Sequence, residues 1–102
     1  MEEKCDIERN SEPKVVILMS TYNGEKYIEE QIESILAQTY SNIKLYVRDD
    51  GSKDNTCAIL RKYKNENKII LLEGKNKGFI DSFFSLLKEA ENADYYAWCD
   101  QD

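Results

Sequence analysis

The chain has 102 residues, 41% hydrophobic and 33% charged, with four glycines and one proline, which fits one small globular domain and leaves no room for two. A formal net charge of −6 provides no basic stripe to release counterions from a phosphate backbone, so nonspecific nucleic-acid binding is excluded. No apolar run approaches the roughly 20 residues of a membrane helix, and the start MEEKCDIERNSEP lacks the apolar stretch of a signal peptide, so a cytoplasmic location is expected.

Residues 1–12 are polar, without a sustained apolar period, and read as a flexible arm ahead of Pro13; the folded part is expected over 13–102. Val15 to Met19 form a short continuous apolar run, the pattern of a strand buried on both faces of a parallel sheet. Ser20, Thr21, Tyr22, Asn23 and Gly24 then read as a turn. From Glu25 onward Tyr27, Ile28, Ile32, Ile35 and Leu36 recur at helical spacing, with Asn23 as candidate N-cap and Glu29, Glu30 and Glu33 on the wet face.

Ile43, Leu45 and Val47 alternate with Lys44, Tyr46 and Arg48, which predicts a second strand running into Asp49, Asp50, Gly51 and Ser52. Asp54 or Ser52 is placed to cap a helix through Ile59, Leu60 and Tyr63, and Lys68 to Leu72 supply a third strand. A loop over Gly74 to Gly78 follows. Ile80, Phe83, Phe84 and Leu87 make a third helical stripe, and Tyr95 to Cys99 a fourth strand that delivers Asp100, Gln101 and Asp102.

Strands alternating with helices imply βαβ units, and right-handed crossovers give a Rossmann-like α/β fold with a mostly parallel sheet in the order 3-2-1-4. Ligands of such sheets bind outside the carboxyl ends of the strands where the order reverses, here between strands 1 and 4. The polar clusters after strands 1, 2 and 4 all lie at that edge.

The chemistry available there is limited. Histidine is absent, which removes imidazole triads and the usual transition-metal ligand, and Cys5, Cys57 and Cys99 fall in no metal or disulfide spacing and read as reduced thiols. Asp100 and Asp102, one residue apart at a strand end, can share a hard divalent cation that leaves positions open for phosphate oxygens. An isolated DxD is more often a solvated turn, so context decides.

Asp49-Asp50-Gly51-Ser52 alone is also more often a turn. Only one of its two acids serves as a local cap, which leaves the other to accept a hydrogen bond from a ligand, such as the N3–H of uracil or thymine. On that reading Asp50→Asn weakens pyrimidine binding and leaves the fold intact. Tyr22 is placed to stack on the base, or to pack against its own helix. Lys75 and Lys77 flank Asn76 in a loop where they approach phosphates or are merely solvated. Neither GxGxxG nor GxxxxGK[ST] occurs, so a dinucleotide fingerprint and a P-loop are both excluded.

The runs VVILMSTYNGEKYIEEQIESILAQTY, LYVRDDGSKDNT, NKG and YYAWCDQD, in this order and spacing, resemble family 2 glycosyltransferases over about residues 14–102. Four motifs together are far more specific than any one. The resemblance implies the N-terminal part of a GT-A fold, a UDP- or dTDP-sugar donor, Mg²⁺ or Mn²⁺, and inversion at the anomeric carbon. The DQD variant looks most like bacterial enzymes of capsular, exopolysaccharide or rhamnan synthesis.

Carried onto this sequence, the resemblance has Ser20 and Tyr22 hold the base, with Thr21 between them, and Asp50 accept from its N3–H. Asp100 and Asp102 lie at the ribose, diphosphate and metal, Asp102 the more direct ligand, and Asp49 is a structural partner of the turn. Phe83 and Phe84 stand where many members carry an Arg-Asn pair. The catalytic base and the binding site for a glycan or lipid-linked acceptor are expected in a later segment. The expected location is cytoplasmic, with room for peripheral attachment to the inner membrane face through that segment. The isolated piece is therefore expected to bind donor without turning it over. Two readings from other classes are a non-catalytic nucleotide-binding module and a Mg²⁺-binding receiver-like domain. The latter needs an acidic pair after the first strand, where this chain has Ser20-Thr21-Tyr22.

Overall fold

The computed structural model describes residues 13–38 and 42–99. The arm at 1–12 and the acids Asp100 and Asp102 lie outside the described residues. Four strands, β1 (Val15–Thr21), β2 (Ile43–Asp49), β3 (Ile70–Glu73) and β4 (Tyr95–Cys99), alternate with three helices, α1 (Ile28–Leu36), α2 (Thr56–Asn65) and α3 (Phe79–Glu89). The sheet is wholly parallel in the order β3-β2-β1-β4, as the alternation implies.

Both faces of the two central strands are covered. Ile17, Met19, Leu45 and Val47 pack with Ile28, Ile32 and Ile35 of α1 and with Leu60 and Tyr63 of α2. On the opposite face Val16, Leu18 and Tyr46 meet Leu86 of α3, with Phe83 and Trp98 edge-to-face at the margin, ring centroids 4.8 Å apart. Full burial of such side chains is worth roughly 1.5–3 kcal/mol each relative to exposure. Tyr46 and Arg48, which alternate with the apolar residues of the second strand, are both buried as well.

The first turn differs from expectation as well. Ser20 and Thr21 are not loop residues; they extend β1, in register with Arg48 and Asp49 of β2, and are buried. Helix α1 starts only at Ile28, after a turn in which the Tyr27 and Ile28 N–H groups donate to the Gly24 carbonyl. Tyr27, counted in the apolar stripe, lies outside that helix and is exposed. Asn23 is no cap. It takes φ 52°, a left-handed conformation that Asn tolerates, and its side-chain oxygen accepts from the Lys53 N–H at 2.8 Å.

Helix α3 turns its face differently from the expected stripe. Leu86 and Ser82 are buried and Phe83 half-buried, whereas Ile80, Phe84 and Leu87 are exposed. The sheet beneath α3 carries the buried Arg48 side chain, and the guanidinium meets the Ser82 hydroxyl rather than an apolar surface. Strand β3 begins two residues later than expected, at Ile70.

Gly51, in the loop after β2, packs against the loop after β3. It adopts φ +83°, and a Cβ there would sit 2.9 Å from the Asn76 backbone nitrogen. Left-handed strain costs about 1–3 kcal/mol for other residues. Gly51→Ala is therefore expected to lose at least that much stability in urea unfolding; an unchanged midpoint would show that the two loops do not meet there.

Candidate nucleotide site

Two loops leave the carboxyl edge of the central strands and are tied to each other before any ligand is considered. The Ser52 hydroxyl accepts from the Asn23 N–H at 2.8 Å and itself donates to Asp49, whose other carboxylate oxygen accepts from the Ser52 N–H at 3.1 Å. The Thr56 hydroxyl accepts from the Gly24 N–H at 2.8 Å, and Asp54 accepts from the Glu25 N–H at 3.2 Å. The N-cap of α2 is Asn55, without a side-chain cap bond, and Asp54, one of the two residues expected to cap it, instead takes the Thr56 N–H at 2.9 Å from one residue earlier. Ser52, the other, holds the first loop instead. Burial pushes the Asp54 carboxyl up, but the Thr56 hydroxyl and N–H and the Glu25 N–H outweigh it and hold the group below its ordinary value.

Asp49 and Asp50 face opposite sides of the sheet and divide the work. Asp49, on the α1–α2 side, is the turn partner anticipated for it. Asp50 follows the strand, its N–H bonded to the Thr21 carbonyl at 2.8 Å, and its carboxylate is 3% exposed. Arg48, itself 4% exposed, makes a buried ion pair with it. The Lys77 N–H donates to Asp50 Oδ1 at 2.9 Å and the Gly78 N–H to Oδ2 at 3.0 Å.

The expectation that the second acid is left free is thereby corrected. Its acceptor capacity is used by protein donors, because loop 74–78 folds over it and supplies two N–H groups. Burial pushes the Asp50 carboxyl up, and the Lys77 N–H, the Arg48 guanidinium, the Ser82 hydroxyl and the Gly78 N–H together pull it below the usual carboxylate range. The same contacts predict a stability cost for Asp50→Asn, since the amide would leave the Arg48 charge buried without a counterion.

The other expected residues gather at this edge to different degrees. Ser20 and Thr21 are buried in β1, and Tyr22 follows them, 39% exposed. Lys77 reaches Asp50 through its backbone, while its ammonium donates to the Ser85 hydroxyl on α3 at 3.2 Å, away from the carboxylate. Asp100 and Asp102 lie outside the described residues; β4 pairs with β1 as far as Cys99 opposite Met19. Among the described residues no group of three potential metal-ligating side chains forms. Cys57 and Cys99 are in no disulfide, and burial with the nearby Glu73 carboxylate pushes the Cys57 thiol up to about 11.

Arg48 is the residue that the strand alternation hid. The signal was available: in the order 3-2-1-4 the second strand is central, so both its faces are covered, and an arginine there has to be paired.

The sequence matches the model of "Glycosyl transferase family 2" over residues 16–102. The chain belongs to this family. Among its curated relatives are the dTDP-rhamnosyl transferase RfbG of Shigella flexneri, 40% identical over 90 residues, and the putative glycosyltransferase EpsE of Bacillus subtilis, 41% identical over 96. These matches take in 82% and 91% of this chain but 31% and 34% of the relatives. Among solved structures, a TarS fragment of S. aureus superposes with a TM-score of 0.77 at 31% identity, over 87% of this chain and 27% of that one; it has also been solved with UDP and with UDP-GlcNAc. The family 2 chain thus spans about a third of these relatives or less, and its fold is the N-terminal part of the GT-A arrangement. No helix among its described residues is long and apolar enough to cross a membrane.

A depressed carboxyl pKa contributes stability that is complete above the unfolded value, about 3.9 for Asp, and lost as pH falls through the folded one. Removing one partner of a buried pair costs roughly 3–5 kcal/mol. In urea unfolding at neutral pH, Asp50→Asn is expected to lose a stability of that order relative to wild type, and the gap to narrow below about pH 4 as the wild-type carboxyl takes up its proton. A gap independent of pH would contradict the ionised pair.

Proposed function

We propose that this family 2 chain supplies the donor-binding part of an inverting glycosyltransferase that moves a sugar from a UDP- or dTDP-sugar to a glycan or lipid-linked acceptor in bacterial polysaccharide synthesis. The observation that carries the reading is that Tyr22, the anchored Asp50 carboxylate and Cys99 all stand at the carboxyl ends of neighbouring parallel strands. The names of the relatives support it: one is a dTDP-rhamnosyl transferase, and the TarS fragment binds UDP and UDP-GlcNAc.

In this reading the pyrimidine stacks on Tyr22 between Ser20, Thr21 and loop 74–78, and its N3–H bonds to Asp50. Because Asp50 is already engaged, the base takes over the place of the Lys77 or Gly78 N–H, and the loop yields to it. Asp100 lies at the ribose and diphosphate, and Lys77 swings from Ser85 towards phosphate. Asp102, with Asp100, would hold Mg²⁺ or Mn²⁺, which when bound neutralises charge on the leaving diphosphate. Two acids separated by one residue suit an oxygen-preferring cation.

Displacement at the anomeric carbon also requires a base for the acceptor hydroxyl. Asp100 and Asp102 stand on the donor side, so the base and the acceptor site belong to a segment outside these residues. The limited share of the relatives covered supports that division, and peripheral attachment of the whole enzyme to the inner membrane face goes with the same segment.

Titration calorimetry with Mn²⁺ is expected to give binding of UDP or dTDP that EDTA weakens, and none of ATP or NAD. Tight ATP binding, or UDP binding indifferent to chelator, would refute the reading. In a coupled diphosphate-release assay the full-length protein is expected to turn over a UDP- or dTDP-sugar only with acceptor, Asp102→Ala to abolish this, and residues 1–102 alone to show no acceptor-dependent release.

A further inference from the structure

The buried arginine is not accounted for by any role assigned so far. Its guanidinium reaches three segments at once: Asp50 at the end of its own strand, the Ser82 hydroxyl on α3 at 2.7 Å, and the Lys75 carbonyl of loop 74–78 at 3.2 Å. The loop has a matching gap. A Cβ on Gly74 would lie 2.3 Å from Arg48 Nη2 and 3.1 Å from Cζ, so the guanidinium fills the space that any side chain at position 74 would need.

We propose that Arg48 is the positioning residue of the nucleotide site, holding the Asp50 carboxylate in one direction while loop 74–78 covers it or yields, with Gly74 leaving the room the guanidinium requires. This rests on the reading that Asp50 meets the base N3–H. A carboxylate held only by the two loop N–H groups would lose its orientation when the loop yields to a ligand. Held also by a planar guanidinium that is itself tied to Ser82, it keeps one direction whether the loop is over it or not. Arg48 touches no substrate atom in this scheme; it acts through Asp50.

Lysine in its place keeps the charge but, as a compact ammonium, cannot span Asp50, Ser82 and Lys75 together. A methyl group at 74 pushes the guanidinium off its partners. Both changes are expected to act on the same quantity, the preference for a base that carries an N3–H.

The test uses the full-length protein and two ligands, UDP and its N3-methyl derivative, with affinities measured by calorimetry and folding by thermal midpoint. Wild type is expected to prefer UDP by about tenfold or more, the scale of one hydrogen bond to a charged group. Arg48→Lys and Gly74→Ala should each shrink that preference several-fold, and Gly74→Ala should add no further loss in an Arg48→Lys background, where the long planar head is gone. Arg48→Met is expected to lose the preference altogether if it folds, and the lysine and alanine variants decide the matter if it does not. A lowered midpoint with the preference intact would make Arg48 merely structural and overturn the proposal, as would multiplicative losses in the double variant. A wild-type protein with no preference between the two ligands would refute the base-reading role of Asp50 itself, and this inference with it.

Discussion

A guanidinium and a carboxylate that are both almost dry cannot part without leaving a bare charge inside the protein, and that constraint organises the carboxyl edge of this sheet. Arg48 and Asp50 sit two residues apart on one face of a central strand, under a loop and a helix that come from the other end of a crossover. The pair does not have to be stabilising overall to be decisive, since replacing both members with apolar groups is often neutral while removing one is costly. What the pair does is fix geometry: α3 is held through Ser82, loop 74–78 through the Lys75 carbonyl and the Lys77 and Gly78 N–H groups.

A second layer of polar contacts works on the opposite side of the same edge. Asn23, Ser52 and Asp49 tie the loop after β1 to the loop after β2, and Thr56 and Asp54 extend the tie into the start of α2. The residues between these two layers, Thr21 and Asp50, are joined through the backbone. Loops at a binding edge are usually the least stable part of a fold, and here they are cross-braced by side chains whose partners lie about 30 residues away. That arrangement presents the edge in a prepared form, which reduces the ordering cost a ligand has to meet.

The architecture was largely legible from the order of residues because its signals are local. Val15 to Met19 have the pattern of a doubly buried strand, the helical stripes in between imply crossovers, and a parallel sheet with right-handed crossovers leaves few strand orders to choose from. The site was legible as a place and less so as a set of contacts. That one acid serves the turn was legible from its chemistry, and the family resemblance named Asp49, which Ser52 indeed engages. The burial of Asp50 was not legible, since its donors Lys77 and Gly78 lie 27 and 28 residues away and their N–H groups leave no mark on side-chain pattern. Arg48 was noted only as a member of the strand alternation, and its burial follows from the central place of that strand, which leaves neither face exposed. The exposed stripe of α3 was misjudged for a related reason: the helix docks on a guanidinium as much as on apolar side chains.

The central claim is that Asp50 is held inside the protein by Arg48 and by the backbone of loop 74–78. Amide hydrogen exchange on the unliganded protein reads it directly, because Lys77 and Gly78 lie in a surface loop without helix or strand bonds. Their N–H groups are expected to be protected well above the exposed amides of ordinary loops, and that protection to disappear in Asp50→Ala under conditions where the sheet amides remain protected. Exchange of Lys77 and Gly78 at the rate of free amides in the wild-type protein would contradict the account.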